Sequence, residues 1–498
     1  MYVSVGELAL NLALCALAGA AIAVAIFALL RNRLPSPTIA LITLALLLWL
    51  GNAETLADQG VLIGVRSLYA ILALSLITAA SIVWLARTDR NLTALLRTAC
   101  LLVIALPLIA LAEYATRRIS IGVAVKRSAL LQAATTPLAA GNRTAPGFGR
   151  DVYLLILDGY PRPKILAERF GFDDSAFSDS LRKLGLTVAT EGRSNYGFTA
   201  PSLASLFSGE HVRSIEQDPY GKRAPWNVFY EVIRRSPVLS AFARAGYRVY
   251  LVPSAYFPGT RTTAVGEVYL PTNARNLLMR AARGELARWL MHATVPGRIL
   301  EKTGATFMPN AVALAPFTGM AELVARPGPK IVVAHSLIAH FPYFFDEQCV
   351  RTHPARDDAI AFAEQIRCTN GQVLQTIREI ERGDSASTIV VLADHGTWGP
   401  GPDIGAPAES ITPSQAVERF GAFRATRLPA GVTIPDTSTQ LNVIRRVVSA
   451  TLGIDLPDVA DSSYWSSFAA LDHFVAVDSL FGRADQTTTD SATRAGRR

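Results

Sequence analysis

Residues 151–159 read DVYLLILDG: an aspartate, six apolar positions without a break, then Asp158-Gly159. A strand with one wet face alternates apolar and polar residues, whereas an unbroken run is buried on both faces and belongs to a largely parallel sheet between helices. YRVYLV (247–252), KIVVA (330–334) and TIVVLA (388–393) have the same character. Helical patterns over about 163–184, 238–245, 357–381 and 437–452 lie between or beyond these runs. Together they predict an α/β domain over 150–481, with a mainly parallel sheet covered by helices on both faces. Such a sheet gathers its working residues beyond the carboxyl ends of its strands. Polar residues stand there: LDG at 157–159, AHSLIAHFP at 334–342 and ADHG at 393–396.

The rest of the chain has another composition. Of 498 residues 50% are hydrophobic and the mean hydropathy is +0.28, with the excess concentrated before residue 115. Apolar runs cover about 8–30, 37–51, 61–86 and 94–113, each near the roughly 20 residues that cross a bilayer. They predict a four-helix transmembrane region over 1–115. The first run lacks a basic start, is too long and is followed by more spans, which argues against a cleaved signal peptide. Arg31 and Arg33 follow the first run and Arg87, Arg90 and Arg97 the third, whereas Glu7, Glu54 and Asp58 mark the other side. Basic loops stay cytoplasmic, so both termini and the large domain are expected on the outer face of a bacterial inner (plasma) membrane. Arg117, Arg118, Lys126 and Arg127 argue the other way. Residues 116–149 read as a juxtamembrane helix and linker, and 482–498 as a disordered tail.

The net charge of +8 comes without long basic runs, which argues against a nucleic-acid partner and fits a surface beside an anionic membrane. Cys15 and Cys100 lie in apolar runs; Cys349 and Cys368 stand 19 positions apart, as in no common zinc spacing. In an exported domain these two are expected to form a disulfide.

Residues 194–209, SNYGFTAPSLASLFSG, place a threonine at the mouth of a short apolar helix. Capping alone explains Thr-Ala-Pro-Ser, since proline is tolerated in the first helical turn. Asp158-Gly159 alone reads as a turn. Asp394-His395-Gly396 reads equally as a surface turn or as an oxygen–nitrogen pair for Zn²⁺ or Mn²⁺. The combination is more pointed, because one sheet would bring Asp158, Thr199, Asp394 and His395 together. A metal held by these four would lower the pKa of the Thr199 hydroxyl, and the helix N-terminus would face an incoming anion.

In these motifs the chain resembles the sulfatase branch of the alkaline phosphatase superfamily. Thr199 stands where sulfatases carry the cysteine of their helix motif, Pro201, Ser202, Leu206 and Gly209 conform, and Leu203 replaces an arginine. A threonine cannot mature to formylglycine, so the pattern is closer to membrane-bound phosphoglycerol and phosphoethanolamine transferases of the lipoteichoic acid synthase type. The resemblance implies one divalent metal, Thr199 as nucleophile, and His340 hydrogen-bonding or protonating an ester oxygen. His335 ends a strand and reads either as a second such histidine or as a buried structural one, and Asn195 and Tyr196 read either as lining the phosphate pocket or as plain loop residues. A phospholipid donor and an envelope glycan or lipid acceptor follow as partners. Hydrolysis by water at the same site, or a non-catalytic envelope scaffold, remain open. The whole expectation requires the Thr199 oxygen within about a nanometre of the Asp-His pair.

Overall fold

The computed structural model describes residues 116, 119–252, 267–268, 313–341, 343–356, 358–397 and 404–481. The four apolar runs before residue 115 and the tail lie outside the described residues; among the described residues no helix is long and apolar enough to cross a membrane. The described residues from 121 onward belong to one compact unit.

In chain order the strands are β1 (Val152–Leu157), β2 (Thr187–Val188), β3 (Arg248–Val252), β4 (Glu267–Val268), β5 (Lys330–Ser336), β6 (Tyr343–Phe345), β7 (Arg351–Arg356), β8 (Thr388–Ala393), β9 (Arg424–Arg427), β10 (Tyr464–Ser467) and β11 (Ala470–Ala476). Seven of them form one sheet in the order β2-β9-β8-β1-β5-β3-β4. The five from β8 to β4 are parallel, while β9 runs antiparallel to β8 and β2 antiparallel to β9 at one edge, so the sheet is mixed. The runs DVYLLIL, YRVYLV, KIVVA and TIVVLA supply β1, β3, β5 and β8, which lie side by side at its centre. Val152, Leu154 and Ile156 pack into a large core with Leu203, Leu206 and Phe207, while Tyr153, Leu155 and Leu157 are equally buried. Each such side chain contributes about 1.5–3 kcal/mol through burial, so two buried faces hold β1 in place twice over.

Register positions the site. Leu157, the last residue of β1, is level with Ser336 of β5 and with Ala393 of β8. The residues that follow these three strands therefore emerge together at one edge.

The helical pattern over 163–184 is two helices, Pro163–Phe170 and Ser175–Lys183. Those near 238–245, 357–381 and 437–452 are Pro237–Arg244, Ala359–Gly383 and Gln440–Leu452. Two further helices, Pro225–Arg235 and Pro413–Phe420, fall outside the helical patterns expected from the sequence. Residues 119–127 are helical, as is Ala129–Ala134. The stretch expected as a linker is fastened down. Ser128 Oγ donates to Asp218 at 2.6 Å, Asn142 N to the Leu452 carbonyl at 2.7 Å, and Gly147 N to that of Ala450 at 2.9 Å. Cys349 and Cys368 form a disulfide that ties the β6–β7 connection to the Ala359–Gly383 helix.

Candidate metal centre and nucleophile

Thr199 is the first residue of a ten-residue helix, Thr199–Ser208; the N-cap position belongs to Phe198, whose backbone is extended, and no side chain caps this end. The capping explanation of the threonine therefore fails. Its hydroxyl turns away from the helix instead, with Oγ1 3.3 Å from Asp158 Oδ2 and 3.2 Å from His395 Nε2.

The other three donors come from the level strand ends. Asp158 continues β1, its N–H donating to the Ser336 carbonyl at 2.8 Å. The chain then turns at Gly159, whose φ of +70° falls in the left-handed region that glycine tolerates. Gly159 N and His395 N both donate to Asp394 Oδ1, at 3.1 and 2.9 Å, which fixes that carboxylate and leaves Oδ2 for the site. His395 Nδ1 lies 2.8 Å from the Gly396 carbonyl. A carbonyl only accepts, so Nδ1 carries the proton and Nε2 presents a lone pair. Nε2 is 3.5 Å from Asp158 Oδ1 and 3.5 Å from Asp394 Oδ2.

These atoms suit a cation. Asp158, Asp394 and His395 are each 1% exposed or less, and their ligand atoms lie within 4.8 Å of one another. Among the described residues neither Asp158 Oδ1 nor Asp394 Oδ2 has a hydrogen-bond partner. Buried carboxylate oxygens without partners are costly. A four-coordinate ion with bonds of about 2.0–2.1 Å sets its ligands roughly 3.3–3.4 Å apart, close to the spacings here. Thr199 has one proton for two acceptors, so lone pairs outnumber protons. The donor set fits Zn²⁺ or Mn²⁺ held by Asp158, Thr199, Asp394 and His395.

The electrostatics agree. Burial pushes Asp158 up to about 7, against the opposing pull of Arg419. Burial, and then the charge of Asp158, raise Asp394 well above the carboxylate range. Burial and next Arg419 hold His395 well below its ordinary value, so it is neutral. Two carboxylates that resist ionising together, beside a neutral imidazole, are what a divalent ion would relieve.

His340 flanks the mouth of this cluster. Its side chain is 28% exposed, Nε2 is 4.0 Å from Asp158 Oδ1, and its ring centre is 6.4 Å from that of His395. Burial lowers its pKa. Thr199 and His340 are the partly exposed members of the group. His335 is fully buried, with Nε2 3.5 Å from Asp158 Oδ2, and burial pushes it down to about 3. It backs Asp158 as a neutral ring and is not open to substrate.

Asn195 and Tyr196, expected at the phosphoryl group, are packed away. Asn195 is 1% exposed, and its amide donates to Thr439 Oγ1 and the Ser462 carbonyl and accepts from Leu441 N. It fastens the start of the Gln440–Leu452 helix. Tyr196 is fully buried, and its hydroxyl accepts from Val212 N at 2.9 Å.

Sequence reasoning missed Arg419, which is 4% exposed and close enough for its charge to act on Asp394 and Asp158. Burial pulls it down to about 9, so it remains a cation at neutral pH. Arg419 shares the buried face of its helix with Ala416 and Phe420 at helical spacing, but nothing in the sequence marks an arginine at that spacing as buried.

No family model and no curated protein matches this chain. Solved structures do. The C-terminal periplasmic domain of EcEptC from Escherichia coli is similar at TM-score 0.43 and 12% identity, over 70% of this chain and 97% of that one. An alkaline phosphatase superfamily protein from Vibrio parahaemolyticus is similar at TM-score 0.36 and 9% identity, over 68% and 80%. The integral membrane lipooligosaccharide phosphoethanolamine transferase A of Neisseria meningitidis is similar at TM-score 0.36 and 15% identity, over 78% and 74%.

Proposed function

We propose that this protein is a membrane-anchored, metal-dependent phosphotransferase that moves a phospho-head-group from a phospholipid to an envelope glycan or lipid through a phospho-threonine intermediate. One observation carries the reading: Thr199 Oγ1 lies 3.2 and 3.3 Å from His395 Nε2 and Asp158 Oδ2, beside two buried carboxylate oxygens without partners among the described residues. A divalent ion bound by Asp158, Thr199, Asp394 and His395 would supply Lewis acidity, lowering the pKa of the threonine hydroxyl and offsetting charge on phosphorus.

The chain's own groups do the rest. Thr199 Oγ attacks the phosphorus of a phosphodiester, and the bond to the lipid alcohol breaks. The threonine proton passes to that departing oxygen, with His340, the exposed imidazole at the mouth, as its carrier. A head-group phosphoryl ester remains on Thr199. An acceptor hydroxyl then attacks in line, the bond from phosphorus to Thr199 Oγ breaks, and the acceptor proton passes back to that oxygen through His340. The positive end of the Thr199–Ser208 helix faces the anion in both steps. The apolar runs before residue 115 would hold the domain on the outer face of the inner membrane, close to its lipid donor.

Metal content and phosphodiester turnover of the full-length protein test this. The expected result is about one Zn²⁺ or Mn²⁺ per chain, with turnover abolished by chelation and restored by the metal. Chelator-resistant turnover would exclude the mechanism, and turnover in which water alone serves as acceptor would make the protein a hydrolase.

A further inference from the structure

The Arg419 guanidinium is a fork between the two loops that carry the reacting groups. Nε donates to the Gly197 carbonyl at 2.6 Å, two residues ahead of Thr199, and Nη1 donates to the Gly396 carbonyl at 3.1 Å, next to His395. The Gly396 carbonyl is also the one that fixes the His395 tautomer through Nδ1. In return Gly396 N donates to the Arg419 carbonyl at 2.7 Å, so one residue holds the backbone at 396 from both sides. The approach is close: a Cβ at position 396 would lie 2.2 Å from the Glu418 carbonyl oxygen and 2.9 Å from that of Arg419. The ring of Phe198 covers the guanidinium, with Cζ 5.4 Å from its centre. The next residue, Phe420, accepts from Ser194 N at 2.9 Å, which binds the same helix end to the start of the nucleophile loop.

We propose that Arg419 is the positioning residue of the site, clamping the Thr199 loop to the Asp394-His395 loop so that Thr199 Oγ1 and His395 Nε2 keep their separation. This rests on Thr199 being the nucleophile. The role demands arginine: its planar guanidinium presents donors in a fixed fork, so two carbonyls are served at once in a set geometry, whereas lysine offers a point charge on a flexible stem. The sulfatase-like helix motif carries leucine at 203, and Leu203 is fully buried in the core. The guanidinium beside the site therefore comes from a different element.

Full-length Arg419→Lys and Arg419→Met are compared with the parent protein in two assays. Cobalt(II) alone is titrated at neutral pH and its visible absorption reads the donor set; bis(nitrophenyl) phosphate turnover gives kcat and KM. In both variants kcat is expected to fall about 100-fold, the order of effect of a misplacement of about 1 Å. KM should stay within about threefold, and the cobalt band should weaken or shift. The lysine variant keeps charge and approximate volume, and covers the case in which the methionine variant does not fold. A lysine variant with parental kcat and cobalt band overturns the clamp, as does a raised KM with kcat intact. A parent protein that neither binds cobalt nor turns over the diester removes the nucleophile itself, and the role of Arg419 with it.

Discussion

Asp151 and Asp158 stand at opposite ends of the same buried strand, and the sheet treats them in opposite ways. Asp151 Oδ1 accepts from Lys330 N at 3.0 Å, and its Oδ2 pairs with Lys330 Nζ, which also donates to the Arg326 carbonyl at 2.8 Å. Lys330 is only 2% exposed, so this is a buried ion pair with its hydrogen bonds made. Asp158, at the other end, faces Asp394 and a neutral imidazole, and one of its oxygens has no partner among the described residues. One end of β1 is finished as structure. The other end crowds two carboxylates that resist ionising together and leaves buried oxygens without hydrogen-bond donors among the described residues, the arrangement on which the proposed cation site rests.

That contrast can be broken from either end. The largest effect is expected from Thr199→Ala, which should lower phosphodiester turnover on the order of 10³-fold or more while the thermal melting transition stays in place. A similar turnover without the hydroxyl would remove the functional half of the contrast. Lys330→Met should do the reverse, costing about 3–5 kcal/mol in denaturant unfolding because it leaves Asp151 buried and unpaired. The protein that remains folded should bind metal as the parent does. Weakened metal affinity there would mean that the two ends are not independent.

Acid should separate the ends further. In the metal-free protein Asp158 titrates near 7 when folded, against an ordinary value of 3.8. Between these values the folded state keeps a proton that the unfolded chain has lost, so stability falls as pH rises, by up to about 1.4 kcal/mol per unit for one proton. Saturating Zn²⁺ should abolish that slope within the same pH window, by displacing the proton. Denaturant melts at several pH values, with and without metal, check the sign; stability that rises with pH in the metal-free protein would refute it. The smallest expected effect is a gain. Asp394→Asn replaces a carboxyl that burial and Asp158 keep from ionising and should stabilise the metal-free protein by about 1 kcal/mol while abolishing metal binding, as calorimetry on one preparation would show.

The same contrast explains what could be read in the sequence. Burial on both faces leaves an unbroken apolar run, so β1, β3, β5 and β8 are legible; the ends of β1 and β8 bring Asp158, Asp394 and His395 together, and Thr199 joins them from the start of a helix. β9 escaped notice because it is RATR, and Arg424 satisfies its charge on the carbonyls of Ser438, Pro435 and Asp436 instead of in water. Asn195 and Tyr196 were misplaced because nearness along the chain to Thr199 is not nearness in space. The backbone turns at Phe198, sending the hydroxyl one way and the preceding side chains into the core. Arg419 was passed over because a lone arginine in an amphipathic helix ordinarily faces solvent; only the packed backbone shows two carbonyls waiting for it.

The most direct measurement is peptide mass spectrometry of the full-length protein, quenched during incubation with membrane lipids. A phospho-head-group is predicted on Thr199, appearing with donor lipid and lost when acceptor is added. Turnover with Thr199 unmodified throughout, or with the adduct on another residue, would contradict it.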